Sequence, residues 1–197
     1  MRTLKITAAL LAAAIAGSAV AAPATKTAIF AGGCFWSMES GMEHLPGVIS
    51  AVSGYTGGPE KNPTYEQVAS ETTGHLESVK VTYDPAKISY RKLVDSYFHQ
   101  IDPTDSGGAF CDRGPSYRSA VFVADDNERR DAQAVIANLQ AGPFKGRKIY
   151  TPVRNAMTFW PAEGYHQDFA KRNPARYNAY KVGCGRVAAL KAAWKTK

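Results

Sequence analysis

Cysteine, histidine and tryptophan are scarce in this 197-residue sequence, at three, four and three residues. Three cysteines are far too few for a disulfide scaffold, and an odd number cannot all pair within one chain, so one thiol is either intermolecular or chemically active. The histidines, His44, His75, His99 and His166, show neither the C-x-x-C nor the H-x-x-x-H spacing of zinc sites. No metal and no bound cofactor are therefore expected. Internal repeats and low-complexity tracts are missing too, which excludes solenoids and collagen-like arrays. Lys and Arg outnumber Asp and Glu by 24 to 17, for a formal charge of +7, yet they are dispersed, with mild clusters only at Lys145–Lys148 and Lys171–Arg172. No nucleic-acid-binding motif accompanies them, so the charge reads as a solvated surface and no nucleic-acid partner is expected.

Long apolar runs are missing with one exception. Arg2 and Lys5 precede "ITAALLAAAIAGSAVAA", in which Ala19-Val20-Ala21 fits an A-x-A cleavage site. The run is shorter than the ~20 apolar residues a spanning helix needs. Residues 1–21 are thus expected to be a secretory leader, with the mature protein exported to a bacterial periplasm without stable membrane association. The rest is read as one domain over residues 22–172 and a C-terminal tail over 173–197, and the 45% hydrophobic content can furnish one real core.

Along that domain, "TKTAIFA" reads as a buried strand, and Phe35, Met38, Met42 and Leu45 then fall at helical spacing. Gly32-Gly33 turns one into the other. "VISAVSGYTG" is a second strand, "NPTYEQVAS" a short helical turn, and "LESVKVTYDP" a half-buried strand stopped by Asp84-Pro85. A helix over Tyr90–His99 follows, with Ser89 as N-cap and an Ile88/Leu93 staple. The Gly- and Pro-rich stretch "IDPTDSGGAFCDRGPSY" is a long loop, a type that is either disordered or functional. Then come the strand "RSAVFVA", the helix "DNERRDAQAVIANLQ", a last strand or extended segment in "VRNAMTFWPAE" and a short helix in "GYHQDFAKR". Strands separated by crossover-length helices predict a mixed α/β sandwich.

The strand–turn–helix reading puts Cys34 at a helix N-terminus, where unpaired N–H groups and the dipole favour a thiolate. That is a nucleophile's position, although a free cysteine is often only a small buried hydrophobe. Phe35 and Trp36 point about 100° apart on a helix, so at least one can line a cavity beside the thiol.

"GGCFW", "GYTGG", "NPTYEQV", "TGHLESVKVTYDP" and "DRGPSYRSAVF", in that order from about Ile29 to Asn173, strongly resemble the peptide methionine sulfoxide reductase A family. The resemblance implies a ferredoxin-like α/β core with long excursions. It implies that Cys34 attacks the sulfoxide sulfur, with Phe35 and Trp36 forming the pocket for the substrate's S-methyl group. Glu77 would protonate the sulfoxide oxygen, Tyr65 and Tyr117 would hydrogen-bond it, and Asp112 would share the pocket. Acid catalysis fits the chemistry, because a sulfoxide oxygen leaves only once protonated, and burial can raise a carboxyl pKa enough to supply the proton. Taken without the resemblance, Glu77 reads as an exposed strand residue, and Tyr65 and Tyr117 as half-buried packing residues.

Attack would leave a sulfenic acid on Cys34. Cys184, between Gly183 and Gly185 on the tail, is expected to condense with it, and a thioredoxin-like external dithiol to reduce the disulfide. Here the chain departs from many relatives that carry two tail cysteines, since Asn178 stands at one matching position. Cys111, beside Asp112, is the rival resolving thiol. The expected substrate is the S epimer of methionine sulfoxide, free or in proteins, and the expected state a monomer. Two other readings compete. A cysteine hydrolase would pair Cys34 with His166, but "GGCFW" lacks the signature of papain-like enzymes. A methionine-binding module would use Phe35 and Trp36 and need no thiol.

Overall fold

The computed structural model describes residues 24–195, so the expected leader lies outside the described residues. The strands are β1 (Lys26–Ala31), β2 (Val48–Thr56), β3 (Leu76–Tyr83), β4 (Gly108–Ala109), β5 (Asp112–Arg113), β6 (Ala120–Val123), β7 (Val153–Asn155) and β8 (Trp160–Pro161). The helices are α1 (Phe35–Glu43), α2 (Tyr65–Ala69), α3 (Tyr90–Phe98), α4 (Asp126–Ala141), α5 (Phe169–Arg172), α6 (Pro174–Gly183) and α7 (Arg186–Ala193).

Six strands form one mixed sheet in the order β7-β6-β1-β3-β2-β8. Its centre, β6-β1-β3-β2, is antiparallel throughout, and α1 and α3 make the two crossovers, which is the ferredoxin-like arrangement. The segment read as one last strand divides instead: β7 pairs parallel with β6 at one edge, and β8 pairs with β2 at the other. The connection between β7 and β8 therefore spans the sheet, which one continuous strand could not do.

Period-2 alternation sorts the central strands. Phe30 of β1 and Val79, Val81 and Tyr83 of β3 face the helices, together with Met38 and Met42 of α1 and Leu93, Val94 and Phe98 of α3. Ile29, Ala31, Leu76, Ala120 and Phe122 form a smaller cluster apart from this core. Each fully buried large side chain contributes roughly 1.5–3 kcal/mol. α3 starts as its sequence signals, with the Lys92 N–H donating to Ser89 Oγ at 3.2 Å. Its Tyr97 stacks on Phe30 at 4.9 Å, and the Tyr97 hydroxyl donates to the Ala31 carbonyl at 2.6 Å. That bond pins the end of β1, from which the site is built.

The long loop after α3 is ordered. It carries the β4–β5 hairpin, with Phe110 in the left-handed region (φ 59°) at its turn, and a 3-10 turn over Pro115–Tyr117. The tail is helical rather than a loose strand of chain. Tyr177 of α6 is buried, Arg186 at the start of α7 donates to the Gln100 carbonyl at 2.8 Å, and the Trp194 indole donates to the Ile101 carbonyl at 3.0 Å.

Candidate active site

Gly33 makes the turn from β1 into α1 with φ +82°, and a Cβ there would lie 2.4 Å from Ala109 of β4. Only glycine permits both that backbone and that approach, which brings the β4–β5 hairpin against the next residue, Cys34. Cys34 is the N-cap of α1, with its carbonyl accepting from Ser37 at 3.1 Å. Its thiol is free but only 7% exposed. Burial, reinforced by the carboxylates of Glu77 and Asp112, pushes the thiol pKa well up, so in this closed arrangement Cys34 is a protonated thiol. The Trp36 N–H and the Tyr180 hydroxyl favour the thiolate but do not outweigh burial, and the first N–H of the helix is already taken.

The group that takes it is Glu77. Its Oε2 accepts from the Phe35 N–H at 2.9 Å. Glu77 lies on β3, opposite Tyr55 of β2, and is 3% exposed. Its position in the alternation is that of Val79, Val81 and Tyr83, so the strand turns it inward; this corrects the reading of Glu77 as an exposed strand residue. Burial, against the opposing Phe35 hydrogen bond and with help from the Asp112 charge, raises its pKa to about 8. At neutral pH it is a carboxylic acid beside a thiol.

Tyr65, the first residue of α2, and Tyr117, on the 3-10 turn, converge on the same point. Their side chains meet one another, and both neighbour Glu77 and Cys34. Burial raises both phenol pKa values, so they remain O–H donors. The Tyr65 N–H is held by Glu163 Oε1 at 2.9 Å, and the other oxygen of Glu163 accepts from the buried Tyr55 hydroxyl at 2.9 Å. Asp112, the first residue of β5, has its pKa raised by burial and faces the Cys34 backbone N–H.

The aromatic pair beside the thiol divides its work. Phe35 is buried against Tyr55 and His166, with ring centroids at 5.8 and 4.9 Å. Trp36 is half-buried, stacks on Phe169 at 3.7 Å, and donates its indole N–H to His166 Nδ1 at 3.1 Å. His166 is itself buried, its ring lies 4.5 Å from Tyr65, and burial lowers its pKa. With Nδ1 accepting from Trp36, it orients an aromatic wall, and the Cys34–His166 pairing of a hydrolase gains no support.

The tail thiol differs from the simplest expectation. Cys184 is joined by a disulfide to Cys111, 73 residues away. Both sulfurs lie within 4.8 Å of an Asp112 carboxylate oxygen, so the bridge borders the pocket. Tyr180 is a site residue that sequence reasoning missed. Its hydroxyl donates to Asp112 Oδ2 at 2.6 Å and faces the Cys34 sulfur, and its ring meets Trp36 edge-on at 6.1 Å. The available signal was its spacing, one helical turn before Cys184.

All eight residues expected from the sequence thus border one buried site: a thiol, a protonated carboxyl, two phenols, an aspartate, an aromatic wall and a nearby disulfide. Such a set can transfer an oxygen from a polar S=O group to a thiol. Comparison with known proteins agrees. Residues 26–197 match the family model described as "Peptide methionine sulfoxide reductase". The chain is 53% identical over 179 residues to peptide methionine sulfoxide reductase MsrA 2 of Caulobacter vibrioides, covering 89% of each chain. It is 48% identical to MsrA of Bacillus subtilis, covering 87% of this chain and 97% of that one. Among solved structures it resembles reduced Mxr1 of Saccharomyces cerevisiae, with TM-score 0.72 and 30% identity over 77% of this chain and 87% of that one. It also resembles methionine sulfoxide reductase A of Corynebacterium diphtheriae, with TM-score 0.68 and 30% identity over 82% and 81%.

Proposed function

The chain belongs to the peptide methionine sulfoxide reductase A family, enzymes that return methionine sulfoxide to methionine, and on that premise we propose a mechanism, a stereochemistry and a location for it. The observation that carries the mechanism is Glu77: buried, with a pKa raised to about 8, and hydrogen-bonded to the residue next to Cys34. As the Cys34 sulfur attacks the sulfoxide sulfur, Glu77 gives its proton to the sulfoxide oxygen, and the Tyr65 and Tyr117 hydroxyls donate to the same oxygen. The S–S bond made by that attack and the substrate's S–O bond then break as the hydroxyl passes to the Cys34 sulfur, so methionine leaves and Cys34 becomes a sulfenic acid. The Cys34 thiol proton restores Glu77. The substrate gains two electrons and Cys34 loses two.

Recycling uses the other two thiols. Cys184 condenses with the sulfenic acid, releasing water and forming a Cys34–Cys184 disulfide. Cys111 then attacks the Cys184 sulfur, which frees Cys34 and leaves the Cys111–Cys184 bridge. The existence of that bridge, with Cys34 free, supports this order. A thioredoxin-like dithiol reduces the bridge from outside, where Cys111 is exposed.

The preferred substrate is the S epimer, free or in proteins. A methyl pocket at Phe35 and Trp36 and an oxygen cradle at Glu77, Tyr65 and Tyr117 fix two of the three groups on a chiral sulfur, and only one hand then offers its sulfur to Cys34. The enzyme acts as a monomer in the periplasm, repairing oxidised exported proteins, and its donor is exported or fed by a membrane relay. Methionine release from each epimer, followed chromatographically with dithiothreitol as reductant, tests the stereochemistry: S is consumed, and equal rates on R overturn it. Cell fractionation with N-terminal sequencing tests the location, with a mature start near Ala22 expected.

A further inference from the structure

Two rungs join α6 to the β4–β5 hairpin. Tyr180 of α6 and Cys184, which caps the C-terminus of that helix, are one turn apart, the Cys184 N–H donating to the Tyr180 carbonyl at 2.8 Å. Asp112 and Cys111 are adjacent on the hairpin. One rung is the Cys111–Cys184 disulfide and the other is the Tyr180–Asp112 hydrogen bond at 2.6 Å. The first is covalent and redox-controlled; the second sits inside the active site. Tyr180 faces the Cys34 sulfur and the edge of Trp36, while Phe169 occupies the face of Trp36. With the bridge formed, the thiol and the acid are almost wholly shielded from solvent.

We propose that Tyr180 is a redox-controlled plug: the Cys111–Cys184 disulfide holds its hydroxyl between Asp112 and Cys34, where the sulfoxide must bind, and reduction of the bridge lets it leave. The proposal rests on the recycling order given above, in which the step that forms the bridge is the step that frees Cys34. At that moment Cys34 is again a competent thiol, but no resolving thiol remains. A second attack on sulfoxide would strand Cys34 as a sulfenic acid, which a peroxide oxidises by two electrons to the sulfinic acid, and that is not reduced by dithiols. A plug tied to the bridge prevents that turnover until the donor has acted. The bridge raises the effective concentration of Tyr180 at Asp112, and cutting it leaves their hydrogen bond as the side-chain rung between α6 and the hairpin, while Arg186 and Trp194 keep α7 anchored. Gly183 and Gly185, the latter at φ +61°, flank Cys184 and give that end its hinge.

The test uses the Cys34→Ala enzyme, which can bind sulfoxide without consuming it and still form the tail bridge. Calorimetric titration with the S epimer of N-acetylmethionine sulfoxide is run with the bridge oxidised and with it opened by a phosphine reductant. Affinity is expected to be weaker by about tenfold or more in the oxidised form, a usual size for coupling between two sites. Adding Tyr180→Ala should bring the oxidised form to within about threefold of the reduced one. Equal affinity in the two redox states overturns the plug and leaves the reductase reading standing, as does persistent weak binding by oxidised Tyr180→Ala. Absence of binding in both states overturns the sulfoxide assignment of the site, and the plug with it.

Discussion

Replacing Glu77 with Gln isolates the proton from the shape. The amide oxygen of Gln can still accept from the Phe35 N–H, as Glu77 Oε2 does at 2.9 Å, so the turn into α1 should survive. What disappears is a transferable proton. An ordinary carboxyl, with a pKa near 4.5, is protonated in about one molecule in 300 at pH 7; at a pKa of about 8 it is protonated in about nine of ten. Burial on β3 therefore raises the supply of acid about 300-fold, equivalent to about 3.4 kcal/mol. Loss of that acid should slow the chemical step by ~10²–10⁴. Single-turnover quenching, with methionine quantified per enzyme, reads this step apart from recycling. The same substitution should not weaken the fold. Because the folded pKa is raised above the unfolded one, the folded state holds more protons between pH 4.5 and about 8, and stability falls as pH rises through that window. Gln removes this slope, worth at most about 5 kcal/mol above pH 8. A variant slower in chemistry yet more resistant to unfolding at pH 9 is the expected result. Methionine release within about fivefold of wild type would refute the assignment of Glu77 as the acid.

The thiols separate by what each loss leaves behind. Cys34→Ser should release no methionine even in the first turnover, since a hydroxyl is far less nucleophilic toward sulfur. Cys184→Ser should release one methionine per enzyme and leave a sulfenic acid on Cys34, detectable by mass spectrometry. Cys111→Ser should accumulate the Cys34–Cys184 disulfide and turn over more slowly with a thioredoxin-like donor; unchanged turnover and no such disulfide would remove Cys111 from the pathway. Glu39 of α1 is 2% exposed, and burial raises its pKa to about 7 against the Asp168 N–H bond. Stability should accordingly fall as pH rises from about 4.5 to 7, and Glu39→Gln should abolish up to about 3 kcal/mol of that loss in denaturant titrations at the two pH values. His166→Ala leaves the Trp36 indole without its partner and should raise KM more than it lowers kcat, because it loosens the methyl pocket and leaves the acid untouched.

Local chemistry in the sequence determined a large share of this protein. Two glycines between a period-2 run and a period-3.6 run are enough to put Cys34 at a helix start, since turn conformations and side-chain periods act over a few residues. Ser89 capped α3 for the same reason, and the five quoted segments identified the family and its pocket residues. Glu77 is not read as buried from the strand pattern: its burial comes only through the family resemblance, although the structure puts it in phase with Val79 and Val81. Only the tertiary structure decided the rest. The pKa of Glu77 depends on how completely α1, β2 and the hairpin around Asp112 exclude water, and no window of sequence contains that quantity. β7 and β8 lie at opposite sheet edges because their partners are far apart in the chain. The tail is helical because Tyr177, Arg186 and Trp194 find anchors on distant elements. Cys184 meets Cys111, and Tyr180 meets Asp112, because helix geometry puts residues four apart on one face and packing turns that face to the hairpin. Spacing in the chain says nothing about which surface such a face will meet.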